Sequence, residues 1–402
     1  MKSILEESKN LQPTLVQHRR YLHERAETEF DLPNTVEYVT RVLKEMGCEP
    51  QPIGSSGVMV MLGVSKGKTI LLRADMDALP IEEQTDLPFK SRNGKMHACG
   101  HDLHTSMLLG AAKLLKQHET ELNGSVKLIF QPNEEGLGGA KNMIESGLLT
   151  NPKVDVALML HVQSGLPLPV PTGMLLTLPA GPVLASADWF TINVQGKGGH
   201  GGNPHFTVDP INVACHIHLA LQAINAREAS ALEPTVITVG SLQSGDTNNV
   251  IPDTAVLKGT IRAFGEDNRN FVKKRLIEIS KGIAETFRAT AEVVFTCECP
   301  CLDLDGEFER QVEEYSMELL GEDAVLNLGS IGNGTLARNT GSEDFAFVSE
   351  KVPTAAAYLA AGSIDAGYPY INHHPKVLFD EEVLWVGSAV YANTAIEWLA
   401  NH

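Results

Sequence analysis

TILLRADMDALP, residues 69–80, holds a run of apolar residues, Thr69–Leu72, that closes on two aspartates, Asp75 and Asp77. The run is continuous rather than alternating. Such a strand is buried on both faces and belongs in a mainly parallel sheet covered by helices. Three similar runs share this character, Val58–Leu62, Val126–Phe130 and Val154–Leu160. The first 30 residues read as a helix, and helical segments lie near 34–46 and 104–118. The order of elements predicts an α/β domain.

Near residue 185 the pattern changes. Asp188–Val194 reads as a strand, Asp209-Pro210 opens a helix to about Arg227, and Thr235–Gly240 and Thr254–Ala263 read as strands. A helix from Asp267 to about Arg288 and a strand at Ala291–Cys297 follow. The order β-α-β-β-α-β is ferredoxin-like. A helix at 308–320, a strand at 355–361 and a closing helix near 381–400 then return to the first domain. The expected division is 1–184 with 299–402 as one domain and 185–298 as an insertion, which suits a chain of 402 residues.

The polar residues fall where strands end. Thr69–Leu72 leads to Asp75 and Asp77, and Val126–Phe130 leads to Glu134 and Glu135. Val154–Leu160 leads to His161, and the 355–361 strand leads to His373 and His374. HACGHDLH, residues 97–104, adds His97, Cys99, His101 and His104 at the entrance of a helix. Sites in open α/β sheets lie beyond the carboxyl ends of the strands. Cysteine, histidines and carboxylates together suit zinc, manganese or cobalt better than magnesium or calcium. No paired C-x-x-C follows, so this is not a zinc finger.

Composition excludes several classes. The formal charge is −18 with no basic run, which disfavours nucleic acid and anionic membranes as partners. No stretch reaches the ~20 apolar residues of a membrane span. The N-terminus, MKSILEESKNLQ, has no apolar secretory core. Six cysteines in such a chain are expected as thiols, and the expected location is the cytoplasm.

At these positions the chain resembles the M20 metallopeptidase and amidohydrolase family, in its aminoacylase, hippurate hydrolase and auxin-conjugate hydrolase branch. The motifs are RADMDALP, HACGHDLHTSMLLGAA, FQPNEEG, the LH of MLHVQ, GKGGHGGNPH, NNVIPD, SEDFAF and HHPKVLFDE, running from residue 73 to residue 381. The resemblance implies two divalent ions per subunit, held by Cys99, His101, Glu135, His161 and His373. His373 is preferred to His374 because it stands two residues before Pro375. Glu134 matches the family's general base and acid. Other branches begin with H-x-D, whereas this chain has Asp75-Met-Asp77, so both aspartates stand as catalytic or ligand-supporting candidates. His200 matches the histidine that stabilises the oxyanion and reaches the partner subunit's site. Asn249 matches a substrate contact, and Arg262 is a candidate for the substrate carboxylate.

The implied activity is hydrolysis of the amide in N-acyl amino acids, with small-molecule substrates and a homodimer formed through the insertion as lid and dimerisation domain. The alternatives are a dipeptidase or carboxypeptidase, a deacetylase of N-acetyl-diaminopimelate or N-acetylcysteine, and a metal-binding protein without catalysis. Other features have plainer readings. His97 and His104 are expected to orient neighbours or satisfy backbone, and His118, His216 and His218 to be ordinary structural or surface residues. GKGGHG fits a nucleotide-binding pattern in letters only, since no helix opens at it. Cys297, Cys299 and Cys301 are expected to be thiols at a domain edge.

Overall fold

The computed structural model describes residues 2–64, 66–167, 169–331 and 337–402. The chain forms two compact units. One comprises Met1–Gly181, Asp303–Ala337 and Asp344–His402, and the other Pro182–Leu302 and Arg338–Glu343. The short Arg338–Glu343 segment belongs with the insertion, an assignment its sequence does not announce.

The larger unit is built on a sheet of eight strands among the described residues. Their order is Gln51–Ile53, Gly57–Gly63, Ser125–Gln131, Thr69–Asp75, Val156–Gln163, Thr354–Ala360, Leu175–Thr177 and Val325–Asn327. The central pairings are parallel: Thr69–Asp75 lies between Ser125–Gln131 and Val156–Gln163, which in turn pairs with Thr354–Ala360. All seven residues of Thr69–Asp75 and of Ser125–Gln131 are buried, and the charged Lys127 among them is satisfied by donating to the carbonyls of Leu148, Thr150 and Pro152. The Val58–Leu62 run departs from the parallel expectation. It pairs antiparallel with both neighbours; a three-residue turn accounts for the reversal from Gln51–Ile53, and the pairing with Ser125–Gln131 is antiparallel as well.

Helix His101–Gln117 is buried nearly all round, including Leu103, Met107, Leu108, Leu109, Ala111 and Ala112. It packs against the helices Lys2–Glu24 and Val383–Asn401 and against strand Thr69–Asp75. A Cβ at Gly110 would stand 2.2 Å from Ser388 Oγ, so glycine is what lets the closing helix approach. Each large apolar side chain in this layer contributes about 1.5–3 kcal/mol through burial. The first helix ends at Glu24, short of the 30 residues expected, and the chain continues in turns and bridges to Pro33. No helix among the described residues is long and apolar enough to cross a membrane.

The smaller unit carries an antiparallel sheet in the order Thr235–Gln243, Thr254–Ala263, Ala187–Gln195, Thr290–Cys299. Phe190, Ile192 and Val194 face the helices Pro210–Ala223 and Glu266–Thr286, while Trp189, Asn193 and Gln195 are exposed on the other face. Asp209 caps the first helix by accepting from the amides of Ile211 and Asn212. Asp188 and Arg269 form a buried two-point ion pair at 2.8 and 2.9 Å. The topology is ferredoxin-like.

Candidate metal centre

The strand ends and the start of helix His101–Gln117 bring five ligand-type side chains of the larger unit together. Cys99 Sγ lies 3.4 Å from His161 Nε2 and 3.2 Å from His373 Nε2. Glu135 Oε1 is 3.4 Å from His373 Nε2 and 3.9 Å from His101 Nε2. The atoms form two sets within 4.8 Å, Cys99-His101-His161 and Cys99-Glu135-His373, which share the thiol. Two ligands each ~2.0–2.3 Å from one tetrahedral ion stand roughly 3.3–3.7 Å apart, so these spacings suit a metal.

Hydrogen bonds fix which histidine nitrogen is available. His101 Nδ1 donates to the Asp77 carbonyl at 2.8 Å, and its Nε2 is buried with no hydrogen-bond partner. His161 Nδ1 donates to the Val162 carbonyl at 2.8 Å, leaving Nε2 toward Cys99. The orphaned Nε2 of His101, beside a thiol and carboxylates, is what a metal would satisfy. His373 holds a left-handed backbone with φ 72, rare for a residue with a side chain.

Three further groups hold the cluster in shape. Asp77 accepts the amides of Glu134 and Glu135, one on each carboxylate oxygen, at 3.0 and 3.1 Å. Asn372 donates to the carbonyls of Cys99 and Val162 at 3.2 and 3.0 Å, and accepts the Ser164 amide at 3.1 Å. Gly100, with φ 90, precedes His101, and a Cβ there would stand 2.3 Å from Val162 Cγ2.

The centre is anionic. Burial opposes charge on Asp75, but the Arg73 guanidinium, His101 and His104 hold it well below the usual carboxylate range. Burial also raises Glu135, and contacts with His373 and His101 outweigh it, leaving the carboxyl lowered. Against the opposing effect of burial, Asp75 and Asp77 lift His101 well above the usual imidazole value. Contacts with Cys99 and Glu135 lift His373 to about 10. Burial, then His104, keeps His161 neutral. A divalent cation would take the place of the protons this cluster attracts.

Glu134 is buried, with its Oε2 3.8 Å from His101 Nε2. His200 and Asn249 belong to the smaller unit and lie side by side. Val250 pairs with His200, and the Gly201 amide donates to the Asn249 carbonyl at 2.8 Å. His200 Nδ1 accepts the Gly202 amide at 2.9 Å, so the proton of its neutral ring sits on Nε2. Arg262 is not gathered with them. It lies on Thr254–Ala263, roughly 26 Å along the strand from Thr254. Its Nη1 bonds Thr260 Oγ1 at 2.7 Å and the Ile261 carbonyl at 3.3 Å.

Sequence reasoning missed Asn372, Arg73 and Gln131, while Glu343-Asp344 in SEDFAF reads as a helix-start or supporting pair at least as readily as a catalytic one. Gln131 links Arg73 to Asp344 at 3.0 and 2.6 Å, and Asp344 also accepts the Ala140 amide at 2.9 Å. The position of Asn372 beside His373 is the only signal that could have marked it. The thiols of Cys299 and Cys301 lie 3.6 Å from the Glu343 carbonyl and 2.8 Å from that of Leu184.

Residues 71–397 match the model of peptidase family M20/M25/M40. The chain is 37% identical over 397 residues to thermostable carboxypeptidase 1 of Saccharolobus solfataricus, over 97% of this chain and 96% of that protein. It is 36% identical over 386 residues to N-acetylcysteine deacetylase of Bacillus subtilis, over 95% of this chain and 96% of that protein. It is similar to the crystal structure of a dinuclear metal-binding peptidase of family M20 from Bacillus subtilis, with TM-score 0.79, 33% identity and coverage of 98% and 100%.

Proposed function

The chain belongs to peptidase family M20/M25/M40, and on that premise we propose that it is a metal-dependent amidohydrolase that cleaves the amide of N-acyl amino acids. One observation carries the reading. Two consecutive carboxylates meet the cluster: Glu135 shares a ligand set with Cys99 and His373, and Glu134, 3.8 Å from His101, stands within ligand spacing of His101 and Glu135 as well. With Cys99, His101, Glu135, His161 and His373 assigned to the ions, Glu134 is assigned to proton transfer.

Cys99, His101, Glu135, His161 and His373 would hold two divalent ions, with zinc, cobalt or manganese suited to the donor set. Such ions acidify a water and polarise the amide carbonyl. Glu134 takes the proton of the attacking water and delivers it to the departing nitrogen. Asp77 keeps Glu134 aimed through its backbone amide. His200, with its proton on Nε2, is suited to donate to the oxyanion. Asn249 beside it is assigned to substrate contact, and Arg262 is left as the weaker assignment.

The proposal includes a homodimer through the smaller unit. Strand Thr235–Gln243 is an edge strand with Val236 and Leu242 exposed, and Phe206 and Val250 near His200 are exposed as well. A cytosolic location is kept as part of the same proposal.

The test is amine release from N-acetyl, N-benzoyl and longer N-acyl amino acids and from dipeptides, with enzyme stripped and reloaded with zinc, manganese or cobalt. Metal-dependent release from acyl amino acids is the expected result. Release from dipeptides alone would assign the chain to the peptidase alternative, and silence with metal bound would favour the non-catalytic one.

A further inference from the structure

We infer that Asp75 and His104 are a positioning pair that grips the Val162 peptide, and through it the ligand His161, rather than a ligand or a proton carrier. The inference rests on the metal-binding part of the proposed function. His104 Nε2 accepts the Val162 amide at 2.8 Å, so that lone pair is occupied. The ring proton therefore sits on Nδ1, which donates to Asp75 Oδ1 at 2.6 Å. Asp75 Oδ2 is ion-paired with Arg73 Nη1 at 2.8 Å. Asp75 and His104 are fully buried; both ring nitrogens of His104 are hydrogen-bonded, whereas Asp75 accepts a hydrogen bond on Oδ1 and faces Arg73 on Oδ2 as an ion pair without a hydrogen bond. The set Asp75-His101-His104 has metal-like spacing, but His104 has no nitrogen to offer a metal.

The Val162 peptide is held at both ends. Its carbonyl accepts from His161 Nδ1 at 2.8 Å and from Asn372 Nδ2 at 3.0 Å. Its side chain lies against Gly100, one residue before His101. The His104 ring also packs edge-on to His161, with centroids 4.5 Å apart. Arg73, Asp75, His104 and Val162 thus form one chain of contacts from the central strand to the ligand. Residues that orient ligands in this way typically contribute about 10–100-fold to metal affinity.

The experiment is a cobalt(II) titration of the metal-free full-length protein, read by optical absorption including the thiolate charge-transfer band of Cys99. His104→Phe fills the ring's space but offers no acceptor to Val162. His104→Gln keeps an acceptor near the place of Nε2. Both are expected to bind two ions, with one ion weakened roughly 10–100-fold in His104→Phe and most of that loss recovered in His104→Gln. Asp75→Asn, which still accepts from Nδ1, is expected to fall between them.

Loss of one ion from both His104 variants alike would make His104 a ligand and overturn the inference. Unchanged affinity in His104→Phe would reduce the pair to packing, which also overturns it. Intact affinity with collapsed kcat and an altered pH profile would make it a proton carrier. Should His104→Phe not fold, His104→Asn, too short to reach the Val162 amide, takes its place against His104→Gln. The titration needs no substrate, so it stands if the acyl amino acid reading fails. A wild-type protein that binds no cobalt would instead refute the metal reading itself.

Discussion

Asp77 meets Glu134 through the backbone, accepting its amide at 3.0 Å while the other carboxylate oxygen takes the amide of Glu135 at 3.1 Å. One buried side chain thereby sets the turn that aims both a proposed base and a proposed ligand. Asp77→Asn offers one acceptor and turns an NH2 toward the other amide. The expected outcome is a fall in kcat of about 100-fold with KM little changed. A stability loss of about 1–3 kcal/mol should accompany it in urea denaturation. Wild-type kcat in this variant would remove Asp77 from the account.

His200 is predicted to act across a dimer. His200→Ala should lower kcat about 100–1,000-fold while leaving metal stoichiometry unchanged. Mixed and reassociated with Glu134→Gln chains, it should recover about a quarter of wild-type activity, because half the dimers then hold one complete site. No recovery on mixing, with exchange of subunits verified, would place His200 in its own chain's site.

Gly100 is predicted to resist any side chain. Its φ is 90, and an added Cβ meets Val162 Cγ2 at 2.3 Å. Gly100→Ala should cost about 3 kcal/mol in urea denaturation and weaken metal binding as the Cys99–His101 turn shifts. A variant as stable as wild type would show that the turn relaxes freely.

Stability should depend on pH through His18, away from the centre. Burial, then the nearby Arg41, lowers its imidazole from 6.5 to about 4, and Nδ1 lies 2.7 Å from Tyr38 Oη. The unfolded chain takes up a proton below about 6.5, while the folded chain holds His18 neutral down to about 4. The folded state is thus at full advantage above pH 6.5 and loses it as the pH falls through this window. At pH 5 the loss from this group is about 2 kcal/mol. The stability difference between wild type and His18→Gln should shrink by that amount between pH 8 and pH 5, measured from urea midpoints. A difference independent of pH would contradict the assignment.

Much of this was legible in the sequence. Largely apolar runs such as Thr69–Leu72 and Val126–Phe130, the latter interrupted by Lys127, mark strands covered on both faces, and the polar residues after them mark the strand ends. The direction of Gly57–Gly63 was not legible, because a short apolar run carries no sign of its polarity in a sheet. The proposed ligand types were visible by motif, as were Asp77 and His104 as candidates for supporting them. Asn372 was not, since it reaches Cys99 across 273 residues. Which histidine nitrogen carries a proton depends on backbone partners that only the folded chain brings together. His104 shows this, its role set by the amide of Val162.

The most direct measurement compares wild type with Glu134→Gln, each assayed for bound metal and for amine release from an N-acyl amino acid cleaved by the wild type. The account predicts the same two ions in both proteins and a fall in kcat of at least about 1,000-fold in the variant. A Glu134→Gln enzyme that hydrolyses at the wild-type rate would contradict the mechanism at its centre.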